Sequence, residues 1–197
     1  IEGNVRNVVK SFSNEGLNTR DYLMACIKQP QQFTMNPETI SSNVRDLVKK
    51  FEQEGLDSKK YLKSCLRMPS LFSIKPEAIE NNIRMVVKNF ETEGLSIKDY
   101  VQASIKSPSL FYANPETIIK NVNNFVNRFE KEGITTKDFL NIGKKCPQLF
   151  YQKSETLERN ILETVKQFES EGLNVKDYLK ACFKQANLLT FSADRIK

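Results

Sequence analysis

Positively charged residues recur in pairs, eight positions apart, in five segments of this 197-residue sequence. Residues four and eight apart lie on one face of an α-helix, so each segment would present two cations on one side. Cations at this spacing suit the phosphates of a nucleic-acid strand, which Lys and Arg neutralise. The predicted phosphate-binding residues are Arg20 and Lys28, Lys59 and Arg67, Lys98 and Lys106, Lys137 and Lys145, and Lys176 and Lys184.

A variable and mostly polar residue lies midway between the two cations of each pair. Because it shares their helical face, it could touch a base while the cations hold phosphates. Repeat proteins that read one base per helical unit are an established solution to RNA recognition. The possible base-contacting residues are Met24, Lys63, Gln102, Asn141 and Lys180.

The charge pattern also has a plainer interpretation. Exposed helix faces are commonly rich in Lys, and Lys near the end of a helix complements the helix dipole. The first cation of each pair could bond a carboxylate that precedes the helix, such as Glu54, which would neutralise one row. The alternatives are a nucleic-acid binder, a purely structural array, and a protein–protein interaction scaffold, for example a bacterial protein acting in a host cell.

The five segments follow one another at a fixed period of 39 residues, marked by the dipeptide Glu-Gly. Its glycines are Gly16, Gly55, Gly94, Gly133 and Gly172. A period of this length predicts a stacked array of helical units rather than one globular core. We therefore predict an all-α solenoid over residues 1–197, with repeats at about 1–36, 37–75, 76–114, 115–153 and 154–197.

The first residues of the chain already belong to a repeat. Ile1-Glu2-Gly3-Asn4 aligns with Ile79-Glu80-Asn81-Asn82, which lies within the first helix predicted for the third repeat. We expect the sequence to be a segment of a longer array.

Each repeat opens with a long amphipathic helix. Pro76 and its equivalents suit the first helical position, and Ile40, Val44 and Leu47 recur at helical spacing in the second repeat. We expect Gly55 to stop this helix in a left-handed conformation, with Leu56 folding back onto it.

A second helix follows the glycine at once. Its predicted N-cap residues can all accept from exposed backbone amides, and prolines such as Pro69 end it. A short apolar turn comes next, so we predict helices of about 16 and 11 residues and a single helical turn in each repeat. The predicted N-caps are Asn18, Asp57, Ser96, Thr135 and Asn174.

Asparagine occupies one position of the first helix in all five repeats, although it is a poor helix former. We expect a ladder of side-chain hydrogen bonds that ties neighbouring repeats together, and a row of ligand-binding amides is the alternative. These residues are Asn4, Asn43, Asn82, Asn121 and Asn160.

The composition limits the class of protein. The chain has 30 Lys and Arg against 24 Asp and Glu, a net charge of +6, which favours a polyanionic partner. No stretch of 18 apolar residues is present, so we predict no membrane partner. Cys26, Cys65 and Cys182 recur at one position of the repeat, which predicts small buried residues in a reducing intracellular compartment (bacterial cytoplasm, organelle or host cell) rather than disulfides.

Catalysis has little support in the residues. Histidine is absent from the sequence, which removes Ser-His-Asp and Cys-His arrangements and the common His-based metal sites. The recurring carboxylates fall at helix ends, where capping explains them. We predict a non-enzymatic protein with no cofactor, no metal and no small-molecule substrate.

The order of motifs in one repeat resembles the helical repeat of the mitochondrial transcription termination factor (mTERF) family. The resemblance covers the whole chain and implies a curved superhelix of three-helix units. It also implies binding of double-stranded DNA or RNA along a basic inner surface. The residues that carry it, with their counterparts in other repeats, are Leu56, Leu62, Pro69, Leu71, Phe72, Pro76 and Ile79.

Overall fold

The computed structural model describes residues 1–192, which contain α-helices and short 3₁₀ helices and no β-strand. The all-α fold class predicted from the sequence is therefore confirmed. No helix in this range is long and apolar enough to cross a membrane. The helices are α1 (Glu2–Ser11), α2 (Thr19–Lys28), α3 (Pro37–Phe51), α4 (Ser58–Arg67), α5 (Pro76–Phe90), α6 (Ile97–Lys106), α7 (Pro115–Phe129), α8 (Thr136–Lys145), α9 (Ser154–Gln167) and α10 (Val175–Lys184).

The odd-numbered helices are the first helices of the repeats, and the even-numbered helices are the second helices. A 3₁₀ turn follows each second helix and provides the predicted third element. Two further 3₁₀ helices, Glu130–Glu132 and Glu169–Glu171, follow α7 and α9. The 3₁₀ turns after the second helices are Pro30–Phe33, Pro69–Phe72, Pro108–Phe111, Pro147–Phe150 and Ala186–Thr190.

The glycine after each first helix has the predicted left-handed conformation. Gly55 has φ +85°, and the other four Glu-Gly glycines have φ between +87° and +93°. The amide of Leu56 donates to the carbonyl of Phe51 at 3.1 Å, and the Leu56 side chain is buried. The α-helix itself ends at Phe51, about one turn earlier than expected, so the glycine closes a short turn rather than the helix.

Polar side chains cap the second helices. Asn18 accepts from the amide of Asp21, Asp57 from Lys60, and Asn174 from Asp177. Thr135 and Asp138 cap each other reciprocally in a capping box. The N-caps predicted at these four repeats are confirmed, and they fix where each second helix begins.

The described chain forms two compact units, one of residues 1–85 with 97–113 and the other of 86–96 with 114–192. In the first unit α1 packs on α3, α2 packs on α4, and α4 packs on α6. In the second unit α7 packs on α9. Like helices of successive repeats are therefore neighbours, as in a helical solenoid.

Buried aromatic rings join successive repeats within the first unit. Tyr22 of α2 meets the ring of Phe72 edge-on at 5.5 Å, and Tyr61 of α4 meets Phe111 in the same way at 5.4 Å. Edge-to-face contacts of this kind are favourable beyond the area they bury. The second helices are thus held against the 3₁₀ turn of the following repeat.

The cysteines are small core residues, as predicted. Cys26, Cys65, Cys146 and Cys182 are all buried and form no disulfide. Burial raises the pKa of the Cys65 thiol because the thiolate would lose its hydration. A buried neutral thiol is chemically inert, so these residues contribute to packing.

The asparagine prediction was right about side-chain hydrogen bonds and wrong about their partners. The amide of Asn4 donates to the carbonyls of Phe33 and Met35, and the amide of Asn43 donates to the carbonyl of Phe72. Asn160 donates to a carbonyl of the 3₁₀ turn of its own repeat. Each bond joins a first helix to the 3₁₀ turn of the same repeat or to the residues just after that turn. The amides of these three residues are therefore used in the fold.

Candidate nucleic-acid interface

The exposed side of the second helices follows from their buried side. In α4 the buried residues are Tyr61, Leu62, Ser64 and Cys65. Since an α-helix turns about 100° per residue, the positions of Lys59, Lys63 and Arg67 point away from that core. All ten predicted phosphate-binding residues are indeed solvent-exposed.

Most of these cations are free of carboxylates. Nine form no salt bridge with any carboxylate of residues 1–192. The bond suggested from the first cation of a pair to a residue such as Glu54 is therefore not formed in this range. The nine residues are Arg20, Lys28, Lys59, Arg67, Lys98, Lys137, Lys145, Lys176 and Lys184.

Arg67 already has a structural partner. Its guanidinium donates to the carbonyls of Ile105 and Lys106, at 3.3 and 2.8 Å. These carbonyls end α6, where a helix carries partial negative charge and lacks internal partners. Arg67 therefore joins the second helix of one repeat to that of the next.

The residues midway between the cations differ in their surroundings. Met24 is 51% exposed, and Lys63 and Asn141 are exposed. Lys180 lies 2.9 Å from a carboxylate oxygen of Asp177. Gln102 is half-buried, and its amide donates to the carbonyl of Glu54 in the preceding repeat at 2.9 Å.

Two further lysines of the second helices, outside the cation pairs and the midway positions, contact the turns at the Glu-Gly glycines. The ammonium of Lys60 lies 2.8 Å from the carbonyl of Gly55 and 3.2 Å from a carboxylate oxygen of Asp57. Lys144 donates to the carbonyl of Gly94 at 3.0 Å. These carbonyls have no partner within the helices, so a nearby ammonium stabilises the turn.

Most acidic residues lie outside the second helices. The second helices with their N-caps (18–28, 57–67, 96–106, 135–145 and 174–184) contain 14 Lys and Arg, five Asp and no Glu. The rest of residues 1–192 contain 14 Lys and Arg against 18 Asp and Glu. The net charge is therefore +9 on the second helices with their N-caps and −4 on the rest of residues 1–192. Sequence reasoning followed the cations and missed this contrast, which counting the carboxylates of each element would have revealed.

Two first-helix cations are paired across repeats, and a third pairs within its own helix. Lys50 of α3 lies 2.6 Å from Glu80 of α5, and Arg84 lies 2.9 Å from the same carboxylate. In the second unit Arg128 of α7 contacts Glu158 of α9. The hydrogen bond from Lys50, and then that from Arg84, lower the pKa of Glu80. These cations serve the joint between first helices.

The structure brings some of the predicted residues together. In the first unit α2, α4 and α6 are packed in order, so their cation pairs lie on neighbouring helices. In the second unit α8 packs on the 3₁₀ turn that follows α10. Each unit thus carries its own set of exposed second-helix cations.

One comparison with known proteins identifies the family. The sequence model of the mTERF family matches residues 1–197. A search of curated proteins gave no match. Members of the mTERF family are nucleic-acid-binding helical-repeat proteins. With its period of 39 residues, its alternating helices and a match over its entire length, the chain belongs to the mTERF family.

Proposed function

We propose that this protein binds a nucleic acid through the outward face of its second helices, without catalysing a reaction. We call this side of the second helices, in each compact unit, the basic face; the ten paired cations and the five residues midway between them are divided between the two units. The observation that carries the proposal is the net charge of +9 on the second helices, against −4 on the rest of residues 1–192. Total charge alone would not favour one side of the molecule over another.

The cations of the basic face would hold phosphates. A cation already paired with a carboxylate must break that pair before it can release a counterion from the nucleic acid. The nine cations without a salt bridge avoid this cost. At Arg67, however, a phosphate would compete with the carbonyls that end α6.

The midway residues are candidates for base contacts. Met24 offers an apolar surface, whereas Lys63 and Asn141 offer hydrogen-bond donors. Lys180 could exchange its exposed Asp177 partner for a base at little cost. Gln102 would have to release the carbonyl of Glu54, so we expect the third repeat to discriminate bases least.

The test is a fluorescence-anisotropy titration with random single-stranded and double-stranded oligonucleotides over a range of salt concentrations. We expect binding that weakens steeply with salt. If each of five repeats neutralises one phosphate, the log–log slope would be roughly −3.5 for a single strand and −4.5 for a duplex. The two substrates also reveal which form of nucleic acid is bound.

A charge-reversed variant localises the binding. Lys59→Glu with Lys63→Glu should weaken binding by roughly 10- to 100-fold, because two cations are replaced by two repelling anions on one helix. The matched control is Lys49→Glu with Lys88→Glu, which changes the net charge equally on exposed positions of first helices. Equal losses in both variants would mean that total charge, not the basic face, determines affinity. No binding of either oligonucleotide at low salt would refute the proposed function.

A further inference from the structure

Two side chains join α4 to α6 in the first compact unit, one at the start of α4 and one at its end. The amide of Gln102 in α6 donates to the carbonyl of Glu54, in the turn before α4, at 2.9 Å. The guanidinium of Arg67, the last residue of α4, donates to the carbonyls of Ile105 and Lys106, where α6 ends. The two bonds are separated by the length of α4, on the order of 15 Å.

The bond at the start of α4 is part of a close contact. A Cβ at Gly55 would lie 3.0 Å from the amide nitrogen of Gln102, so α6 fits tightly against this turn. The carbonyl of Gly55 accepts from the ammonium of Lys60 in α4, at 2.8 Å. Two successive carbonyls of the turn are therefore used, one by each helix. Sliding α6 along α4 would break the bond from Gln102.

The bond at the end of α4 depends on the shape of arginine. The guanidinium of Arg67 spans the carbonyls of Ile105 and Lys106, at 3.3 and 2.8 Å. A planar guanidinium presents its donors in a fixed fork, whereas a lysine ammonium is a compact point charge. Arg67 therefore fixes the position of the end of α6 in a way that lysine cannot.

The joint between α2 and α4 lacks both bonds, although these helices also pack on each other. Lys28 occupies the position of Arg67, and Lys63 occupies the position of Gln102. Both lysines are exposed, and neither side chain forms a hydrogen bond or a salt bridge within residues 1–192. The two joints of this unit thus differ in how they hold their second helices.

We propose that Arg67 and Gln102 are positioning residues of the basic face, which hold Lys59 of α4 and Lys98 of α6 in register for successive phosphates. The inference rests on the proposed function and gives neither Arg67 nor Gln102 a nucleic-acid contact of its own. Lys59 and Lys98 are exposed and have no carboxylate partner in the described range. A register set on folding need not be ordered on binding, so it increases affinity.

The test is the anisotropy titration, repeated with two variants that keep the net charge. Arg67→Lys removes the fork, and Gln102→Met places there the residue type that Met24 provides in the first repeat. We expect each variant to weaken binding by roughly three- to tenfold while circular dichroism shows an intact fold. Arg20→Lys is the matched control. It should change the affinity by less than about twofold, because Arg20 joins no other helix in residues 1–192 and lysine also binds phosphate.

The double variant distinguishes positioning from direct contact. If Arg67 and Gln102 each touched the nucleic acid, their separate losses in affinity would multiply. Since releasing either end already frees the joint, we expect the double variant to bind within about twofold of the weaker single variant. Losses that multiply would overturn the inference, as would wild-type affinity in Arg67→Lys.

A measurement without nucleic acid tests the joint itself. Spin labels attached through Lys59→Cys and Lys98→Cys report the distance between α4 and α6, since the four native cysteines are buried. The distance distribution should be narrow, and it should broaden when Arg67→Lys or Gln102→Met is added. A distribution that stays narrow would refute the inference and leave the proposed function intact. Absence of oligonucleotide binding by the wild-type chain would instead refute the proposed function.

Discussion

In the first helices, Lys50 and Arg84 share the carboxylate of Glu80, and Arg128 contacts Glu158. In the second helices, nine of the ten cations predicted to bind phosphate have no carboxylate partner within residues 1–192. The second helices and the remainder of that range contain equal numbers of Lys and Arg, 14 each. The two regions thus differ in their carboxylates, five in the second helices against 18 in the rest of the range, and not in how many cations they have.

The paired cations recur as part of the repeat. Arg128 and Glu158 lie 78 residues beyond Lys50 and Glu80, which is two periods of the repeat. The same joint between first helices therefore forms once in each compact unit. A recurring pair of this kind indicates a structural role.

The largest expected effect comes from removing the first cation of the pair in four second helices. Changing Lys59, Lys98, Lys137 and Lys176 to Gln should reduce the log–log salt slope by about 3 and the affinity for a single strand on the order of 100-fold. Changing Lys10, Lys49, Lys88 and Lys166 to Gln removes the same charge from exposed first-helix positions. We expect that control to change the slope little. Equal salt slopes in the two variants would mean that the cations of the second helices contribute no more to nucleic-acid binding than those of the first helices.

The glycine turn determines how each second helix leaves the first. Gly55→Ala and Gly94→Ala should each cost about 1–2 kcal/mol in unfolding free energy, since alanine is strained at positive φ. Gly55→Ala should cost more, because its Cβ would lie 3.0 Å from the amide nitrogen of Gln102, whereas nothing lies within 4 Å at Gly94. Urea denaturation measures the difference. Adding Gln102→Ala to Gly55→Ala should remove the excess, and an unchanged excess would contradict this explanation.

The packing of α8 differs from that of the other second helices at one buried position. Gly143 lies where other repeats have Cys or Ser, and a Cβ there would be 2.6 Å from the buried ring of Phe150. Gly143→Cys should destabilise the protein by about 1–2 kcal/mol, although the loss of helical glycine offsets part of the strain. Ser104→Cys, which places at this position a residue that three repeats already have there, should cost less in thermal denaturation. A stabilised Gly143→Cys variant would mean that Phe150 moves freely.

The smallest effect concerns the first-helix ion pairs. The pKa of Glu80 is lowered in the folded state, so its contribution to stability is present at neutral pH and is lost as pH falls through that lowered value. Glu80→Gln should therefore lower the melting temperature by roughly 1–3 °C at pH 7 and by progressively less below pH of about 4. Glu77→Gln, whose carboxylate is 71% exposed and 3.9 Å from Lys50, should change it less. A difference that persists at low pH would exclude an electrostatic cause.

The sequence predicts the repeat and its elements well because local rules determine them. The left-handed glycines, the caps at Asn18, Asp57, Thr135 and Asn174, and the 3₁₀ turns all follow from residues close in the chain. The exposure of the ten cations follows from helical periodicity and the apolar residues beside them.

The remaining features depend on contacts between distant residues. The amide of Asn43 reaches Phe72, and the guanidinium of Arg67 reaches Lys106, 39 residues further along the chain. Periodicity cannot distinguish a partner in the same repeat from one in the next, since each position recurs in both. The hydrogen bond from the Gln102 amide to the carbonyl of Glu54 could not be predicted for the same reason. That the basic face binds nucleic acid stays a prediction.

The hydrogen bonds of Asn4, Asn43 and Asn160 have a consequence for how such an array can evolve. Each amide finds its acceptor within its own repeat, so that particular bond needs no neighbouring copy. Gene duplication or deletion in steps of 39 residues would carry donor and acceptor together and leave neither orphaned. Such self-contained bonding lets natural selection adjust the length of the array without redesigning its joints.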